Sequence, residues 1–261
     1  MNRIDLSKPL GAIIVYDKKI TQLTDEEIAE IKNLIILRKA IFFKNQFLSV
    51  DEMKEIGARF SSSGKEPMYQ EIDNVENYNY GEVWHGDRAY TTDIPNYTIF
   101  QIDQLPTESM TGDTMFINTS SLFRACFSEP FKNMLRTLTV TNQDATIETV
   151  SNTIVGPIVS YHPRMRAVHP LVLKTTYEDT ILESIYVSLA HTIKINELSF
   201  RESRSVINHI LEILDTADEH KYRHRWNEGD LVIWSNRVCF HKGVRDFQPS
   251  DKRKSKRIMV W

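Results

Sequence analysis

The chain has 261 residues, 41% hydrophobic and 26% charged, the balance of an ordinary soluble globular protein and not of a disordered one. A formal net charge of −3 gives no reason to expect nucleic acid or a membrane surface as partner. The two cysteines, Cys126 and Cys239, are too few for a disulfide framework or a cysteine-built zinc site. Met1 to Tyr16 lacks the pattern of a secretory leader, and no apolar stretch has the length to span a bilayer. A cytoplasmic location is the expectation. No repeat or linker divides the chain, so one domain over 1–261 is expected, with self-association into a homo-oligomer left open.

The first predicted helix opens at Thr24, where Thr24 and Glu27 form a capping box ahead of Ile28, Ile31, Leu34 and Ile35. Ala40-Ile41-Phe42-Phe43 reads as a buried strand, and Ser49 with Glu52 caps a second helix through Met53, Ile56 and Phe60. Further helices are predicted at Ser120–Phe127, at Pro130–Thr137 and from about Arg201 to Leu214. Strand formers concentrate at Tyr97–Ile102, Thr114–Ile117, Leu171–Thr176, Ile185–Ser188, Asp230–Trp234 and Arg257–Trp261. Many short strands with a few helices point to a mainly β sandwich or barrel.

Trp84-His85-Gly86-Asp87 carries the first chemical signal. Residues two apart on an extended chain share a face, so His85 and Asp87 can meet one ion. His-x-Asp alone is weak, because most instances are surface loops. His241 follows a predicted strand far along the chain, and two imidazoles with one carboxylate form the ligand set of non-haem iron(II) oxygenases. Such an ion has positions left for a 2-oxo acid and for O2. The distal carboxylate of 2-oxoglutarate needs a cation, best met by a planar guanidinium. Arg257, entering the last strand, is the first choice and Arg253 the fallback.

On these residues the chain resembles the taurine/2-oxoglutarate dioxygenase family from about Ala40 to its end. Phe42 to Ser49 is similar to the family's early strand-turn-helix, and Trp84-His85-x-Asp87 to its first metal motif. Gly112-Asp113-Thr114 resembles the segment whose threonine helps hold 2-oxoglutarate. Arg225-Trp226-x-x-Gly229-Asp230 through Asn236-Arg237 to His241 resembles the distal-histidine motif, and Lys256-Arg257-Ile258-Met259 the arginine strand. The resemblance implies a double-stranded β-helix (jelly roll, cupin-like), with iron(II) on His85, Asp87 and His241 and 2-oxoglutarate on Thr114 and Arg257. It also implies decarboxylation of 2-oxoglutarate to succinate and CO2, coupled through O2 to oxidation of a small-molecule substrate.

Several positions depart from the family pattern. Ser235 replaces the usual aspartate, and the segment from His241 to Arg257 is long. Trp261 stands where the sulfonate-binding arginine is expected, which argues against taurine. Asp87 is retained, which argues against halogenation. Local stretches, among them Gly156 to Pro163 and Tyr222 to Trp226, are similar to isonitrile-processing oxygenases of natural-product pathways, so hydroxylation or desaturation in secondary metabolism is expected. Trp84, Arg88, Tyr90 and Trp261 are the candidate substrate residues.

Plainer roles suit the remaining histidines. His162 and His169 read as loop residues beside prolines, His220 and His224 as structural, and Cys239 as a buried inert thiol. The run Lys252–Arg257 reads as a solvated turn ending in one functional arginine. The rival to an enzyme is a non-catalytic metal or small-acid binding module on the same scaffold.

Overall fold

The computed structural model describes residues 2–7, 10–73, 81–106, 112–144, 152–153, 156–157, 165–177, 179–248 and 250–261. Its largest sheet has seven strands, in spatial order Asn2–Asp5, Ala12–Val15, Ala40–Phe43, Leu231–Ser235, Tyr97–Gln104, Lys254–Val260 and Met68–Asp73. All neighbours pair antiparallel except Ala12–Val15 with Ala40–Phe43. The period of two sorts the side chains of this sheet. Ile41, Phe43, Leu231, Ile233, Ile99 and Ile258 face one way, where helices Asp25–Arg38 and Val50–Phe60 cover them with Ile28, Ile31, Ile35, Met53, Ile56 and Phe60. Both predicted capping boxes are formed, Thr24 with Glu27 and Ser49 with Glu52, so each helix starts with its exposed N–H groups satisfied.

Phe42, Val232, Trp234 and Ile102 face the other way. They pack against a second sheet of strands Lys221–His224, Thr114–Asn118 and Cys239–Gly243, which contributes Phe116 and Cys239. Two facing sheets with added helices agree with the mainly β expectation. A further core joins helices Thr119–Cys126, Glu129–Leu135 and Phe200–Thr216 to the strands Thr139–Gln143 and Val172–Tyr177 through Leu122, Phe123, Leu135, Val140, Leu173 and Ile210. The long helix begins at Phe200 behind a third capping box, Ser199 with Glu202, one residue ahead of the expected start near Arg201. No helix among the described residues is long and apolar enough to cross a membrane.

Two strand expectations are corrected. Ile185–Ser188 is strand only at Ile185, because the hairpin Val172–Tyr177 with Thr180–Ile185 runs out of partner at Val172. His169 lies not in a loop but in the strand Arg166–Pro170, buried, with its Nε2 2.9 Å from the Thr91 carbonyl. His162 lies outside the described residues, as does most of the Gly156 to Pro163 stretch.

Candidate metal centre and cosubstrate cavity

His85 and His241, far apart in sequence, are neighbours because their backbones form a two-way antiparallel bridge. His85 N–H donates to the His241 carbonyl at 3.1 Å and His241 N–H to the His85 carbonyl at 3.0 Å. Their rings lie 4.2 Å apart, and each Nε2 is 4.0 Å from Asp87 Oδ1. The three donor atoms fall within 4.8 Å of one another, and all three side chains are buried. His85 Nδ1 is 2.7 Å from the Val83 carbonyl. A carbonyl only accepts, so Nδ1 carries the proton and Nε2 presents a lone pair to the cluster. Burial pushes both imidazoles below the ordinary histidine range, which keeps them neutral and able to ligate. His241 Nδ1 is buried without a hydrogen-bond partner, and its ring packs against Trp234 at 4.5 Å.

Asp87 is held from several sides. Thr98 Oγ1 donates to its Oδ2 at 2.6 Å and accepts from Asn236 Nδ2 at 2.9 Å. Asn236 Oδ1 in turn accepts from the Asp87 backbone N–H and from Trp234 Nε1. Arg257 Nη1 donates to Asp87 Oδ1 at 2.6 Å, while its Nε and Nη2 donate to Gln70 Oε1 at 3.0 and 2.8 Å. Burial alone would raise the Asp87 carboxyl. The Arg257 guanidinium and the Thr98 hydroxyl outweigh it and bring the group well below the usual carboxylate range. Two neutral imidazoles and an obligate carboxylate suit a borderline divalent ion such as iron(II).

A cavity runs from this cluster between the two sheets. His85, His241 and Arg257 line one end, Thr114 and Arg253 the other, with Phe100, Phe116, Trp226 and Trp234 between. Alternation explains the arginines. Arg253, Ser255 and Arg257 are two apart and all line the cavity, whereas Ile258 points to the helices. Arg253 is buried, and its Nη2 donates to the Gly112 carbonyl at 3.0 Å. Gly112 has φ +65°, and a Cβ there would lie 2.6 Å from the Phe247 ring and 2.8 Å from Arg253 Nε. Thr114 Oγ1 accepts from Trp226 Nε1 at 3.0 Å, and Ser255 Oγ is buried without a partner.

Candidate residues separate on inspection. His85, His241, Thr114, Arg253 and Arg257 line one cavity, and Asp87 Oδ1 lies 4.0 Å from both histidine Nε2 atoms. Tyr90 and Arg88 lie on the side of His85 where the His191 ring sits, 6.1 Å from His85 and 5.2 Å from Tyr90; the Arg88 guanidinium stands 5.5 Å over Tyr90. Trp84 is core, its indole donating to Asp215 at 2.9 Å. Trp261 is elsewhere: its Nε1 donates to the Asp93 carbonyl, and it lines a surface cleft with Asp93 and His169. The case against a sulfonate that rested on Trp261 therefore has no structural footing. Cys239 is fully buried, its thiol pushed up to about 12 by burial, in keeping with an inert group. The sequence pattern missed Thr98, Asn236, Ser255 and His191; Asn236 alone stood inside a quoted motif.

The chain matches the family described as "Taurine catabolism dioxygenase TauD, TfdA family" over residues 3–259. It is 27% identical over 267 residues to the alpha-ketoglutarate-dependent sulfonate dioxygenase of Saccharomyces cerevisiae, covering 92% of this chain but only 62% of the yeast protein's length. It is 24% identical to the alpha-ketoglutarate-dependent 2,4-dichlorophenoxyacetate dioxygenase of Cupriavidus pinatubonensis, over 91% of this chain and 90% of that protein. Among solved structures, AAD-2 in complex with Mn(II) and N-oxalylglycine superposes with a TM-score of 0.81 at 18% identity, over 99% of this chain and 96% of that one. That likeness carries the fold, the double-stranded β-helix.

Proposed function

The chain belongs to the TauD/TfdA dioxygenase family, and we propose that it is an iron(II)- and 2-oxoglutarate-dependent dioxygenase that hydroxylates or desaturates a small organic molecule. The observation that carries the reading is one cavity lined by His85 and His241, whose donor atoms cluster with that of Asp87, and by Thr114 and Arg253. Iron bound by the three donors would supply O2 activation coupled to decarboxylation of 2-oxoglutarate.

The protein's own residues do the rest. His85 and His241 stay neutral and hold the ion through Nε2. Asp87 stays charged, oriented through Oδ2 by the Thr98 hydroxyl, which Asn236 holds in turn. Arg253 in place of Arg257 is our choice for the distal carboxylate, because it stands at the far end of the cavity beside Thr114, while Arg257 serves Asp87 and Gln70. The aromatic walls Phe100, Phe116, Trp226 and Trp234 exclude water, which strengthens every charged contact inside. Arg88, Tyr90 and His191, on the side of His85, are the substrate wall we favour. A sulfonate or carboxylate substrate, as in the names of the yeast and Cupriavidus relatives, is consistent with this wall and with the cationic Arg257.

The test is succinate release on adding iron(II), 2-oxoglutarate, O2 and candidate acids. Anaerobically, the holoprotein is expected to show a metal-to-ligand charge-transfer band when both iron and 2-oxoglutarate are present. No band, with no 2-oxoglutarate binding by calorimetry, would move the chain to the non-catalytic binding reading. Unchanged iron binding in His241→Ala would refute that ligand.

A further inference from the structure

We propose a second metal site, distinct from the iron cluster, in which Cys126 Sγ, His220 Nε2 and a Glu219 carboxylate oxygen hold a zinc-like divalent ion. The three ligand atoms lie within 4.8 Å of one another. They come from two segments: Cys126 ends the helix Thr119–Cys126, and Glu219 and His220 close the 3-10 turn Asp218–His220. Two cysteines are too few for a cysteine-rich site, but one thiolate suffices when an imidazole and a carboxylate join it.

The second observation is the state of His220. Its side chain is 9% exposed, yet Nε2 has no hydrogen-bond partner among the described residues, the nearest Glu219 oxygen being 3.6 Å away. Its Nδ1 lies 2.9 Å from Ser121 Oγ, whose single proton goes to the Asn118 carbonyl at 3.2 Å. In the tautomer in which Ser121 accepts from Nδ1–H, Nε2 is left with a bare lone pair. That nitrogen shares a donor group with the Cys126 sulfur and the Glu219 carboxylate, and a cation that displaces the thiol proton bridges all three. A hydrogen-bond acceptor on the far nitrogen, the place Ser121 takes here, is the usual outer support of a metal-bound histidine. Sulfur and nitrogen donors select zinc-like ions over magnesium or calcium. The end of a helix, with its free carbonyls, also favours positive charge. Glu219 is exposed and Cys126 only half-buried, so a fourth position opens to water.

Cobalt(II) titration of the chelator-treated full chain tests this, because a thiolate-to-cobalt charge-transfer band cannot arise from the sulfur-free iron cluster. We expect two equivalents bound, one of them giving the band. Cys126→Ser should abolish the band, Glu219→Gln should weaken that equivalent, and Ser121→Ala should weaken it by about 10–100-fold. His241→Ala should leave the band intact. Zinc should displace the cobalt and bleach it. Binding of one equivalent only, a second equivalent without the band, or a band that survives Cys126→Ser would each overturn the site.

Discussion

Replacing Arg257 by Met separates two roles for that arginine. Arg257 and Asp87 are 5% and 2% exposed, and their 2.6 Å contact is the shortest charged contact Asp87 makes. Removing one partner of such a buried pair costs about 3–5 kcal/mol, because a carboxylate is left in low dielectric. In the metal-free protein that cost should appear in full as lost resistance to urea. With a divalent ion bound, the ion neutralises Asp87 and the loss should shrink. The difference must return as tighter metal binding by thermodynamic linkage. If about 2 kcal/mol returns, Arg257→Met binds cobalt(II) or manganese(II) at the iron cluster more than about tenfold more tightly than the parent chain. Anaerobic calorimetry without 2-oxoglutarate measures this directly. Arg253→Met should behave oppositely, leaving metal affinity alone and weakening 2-oxoglutarate by about 30-fold or more, the loss of about 2 kcal/mol or more from a buried charge pair. Unchanged metal affinity in Arg257→Met, together with a large rise in its KM for 2-oxoglutarate, would refute the assignment and return Arg257 to the cosubstrate.

Thr98→Val removes the hydroxyl that donates to Asp87 and leaves Asn236 Nδ2 without its acceptor. Iron affinity is expected to fall about 10–100-fold, read by competition with a chelator, and urea stability by about 2–4 kcal/mol. Gly112→Ala forces a Cβ against Phe247 and Arg253 at φ +65°; the KM for 2-oxoglutarate should rise with little change in metal affinity, and a normal KM would remove Arg253 from the cosubstrate site. Lys39 is 5% exposed, and burial lowers its ammonium to about 8. Between pH 8 and about 10.4 the unfolded chain then binds more protons than the native one, so stability rises with pH across that window. Lys39→Met should therefore be more stable than the parent at pH 7 by about 2–3 kcal/mol, and the gap should close by pH 10.5. A gap independent of pH in parallel urea titrations would contradict this.

What was legible in the sequence followed from local rules. Thr24 with Glu27 and Ser49 with Glu52 signal helix starts because the cap is made within four residues, and both form as read. Ala40–Phe43 and Asp230–Trp234 read as strands, the second observed at Leu231–Ser235, because both faces are buried and largely apolar. Met68–Asp73 and Lys221–His224 were silent because each borders only one strand, where charged and polar side chains are tolerated. His85, Asp87 and His241 stood out because metal chemistry restricts residue type, and the structure brings their donors together. Thr98 and Asn236 did not, because their role exists only once strands far apart in sequence are paired.

The arginines show where such reading ends. The choice between Arg253 and Arg257 was posed as a question of strand entry, and both residues lie on the same face of the same stretch of chain. Period two puts Arg253, Ser255 and Arg257 in one cavity in a row, so position along that row decides which partner each meets. Register supplies that position: Arg257 pairs across to Phe100 and Gln70, two residues from the Met259–Thr98 pair, and from there its guanidinium reaches Asp87. Arg253 precedes the paired segment, next to the bulge between Lys254 and Ser255, and reaches instead toward Gly112 and Thr114. Two guanidiniums four residues apart thus serve opposite ends of one cavity. A one-residue slip of that strand would turn both out of the site.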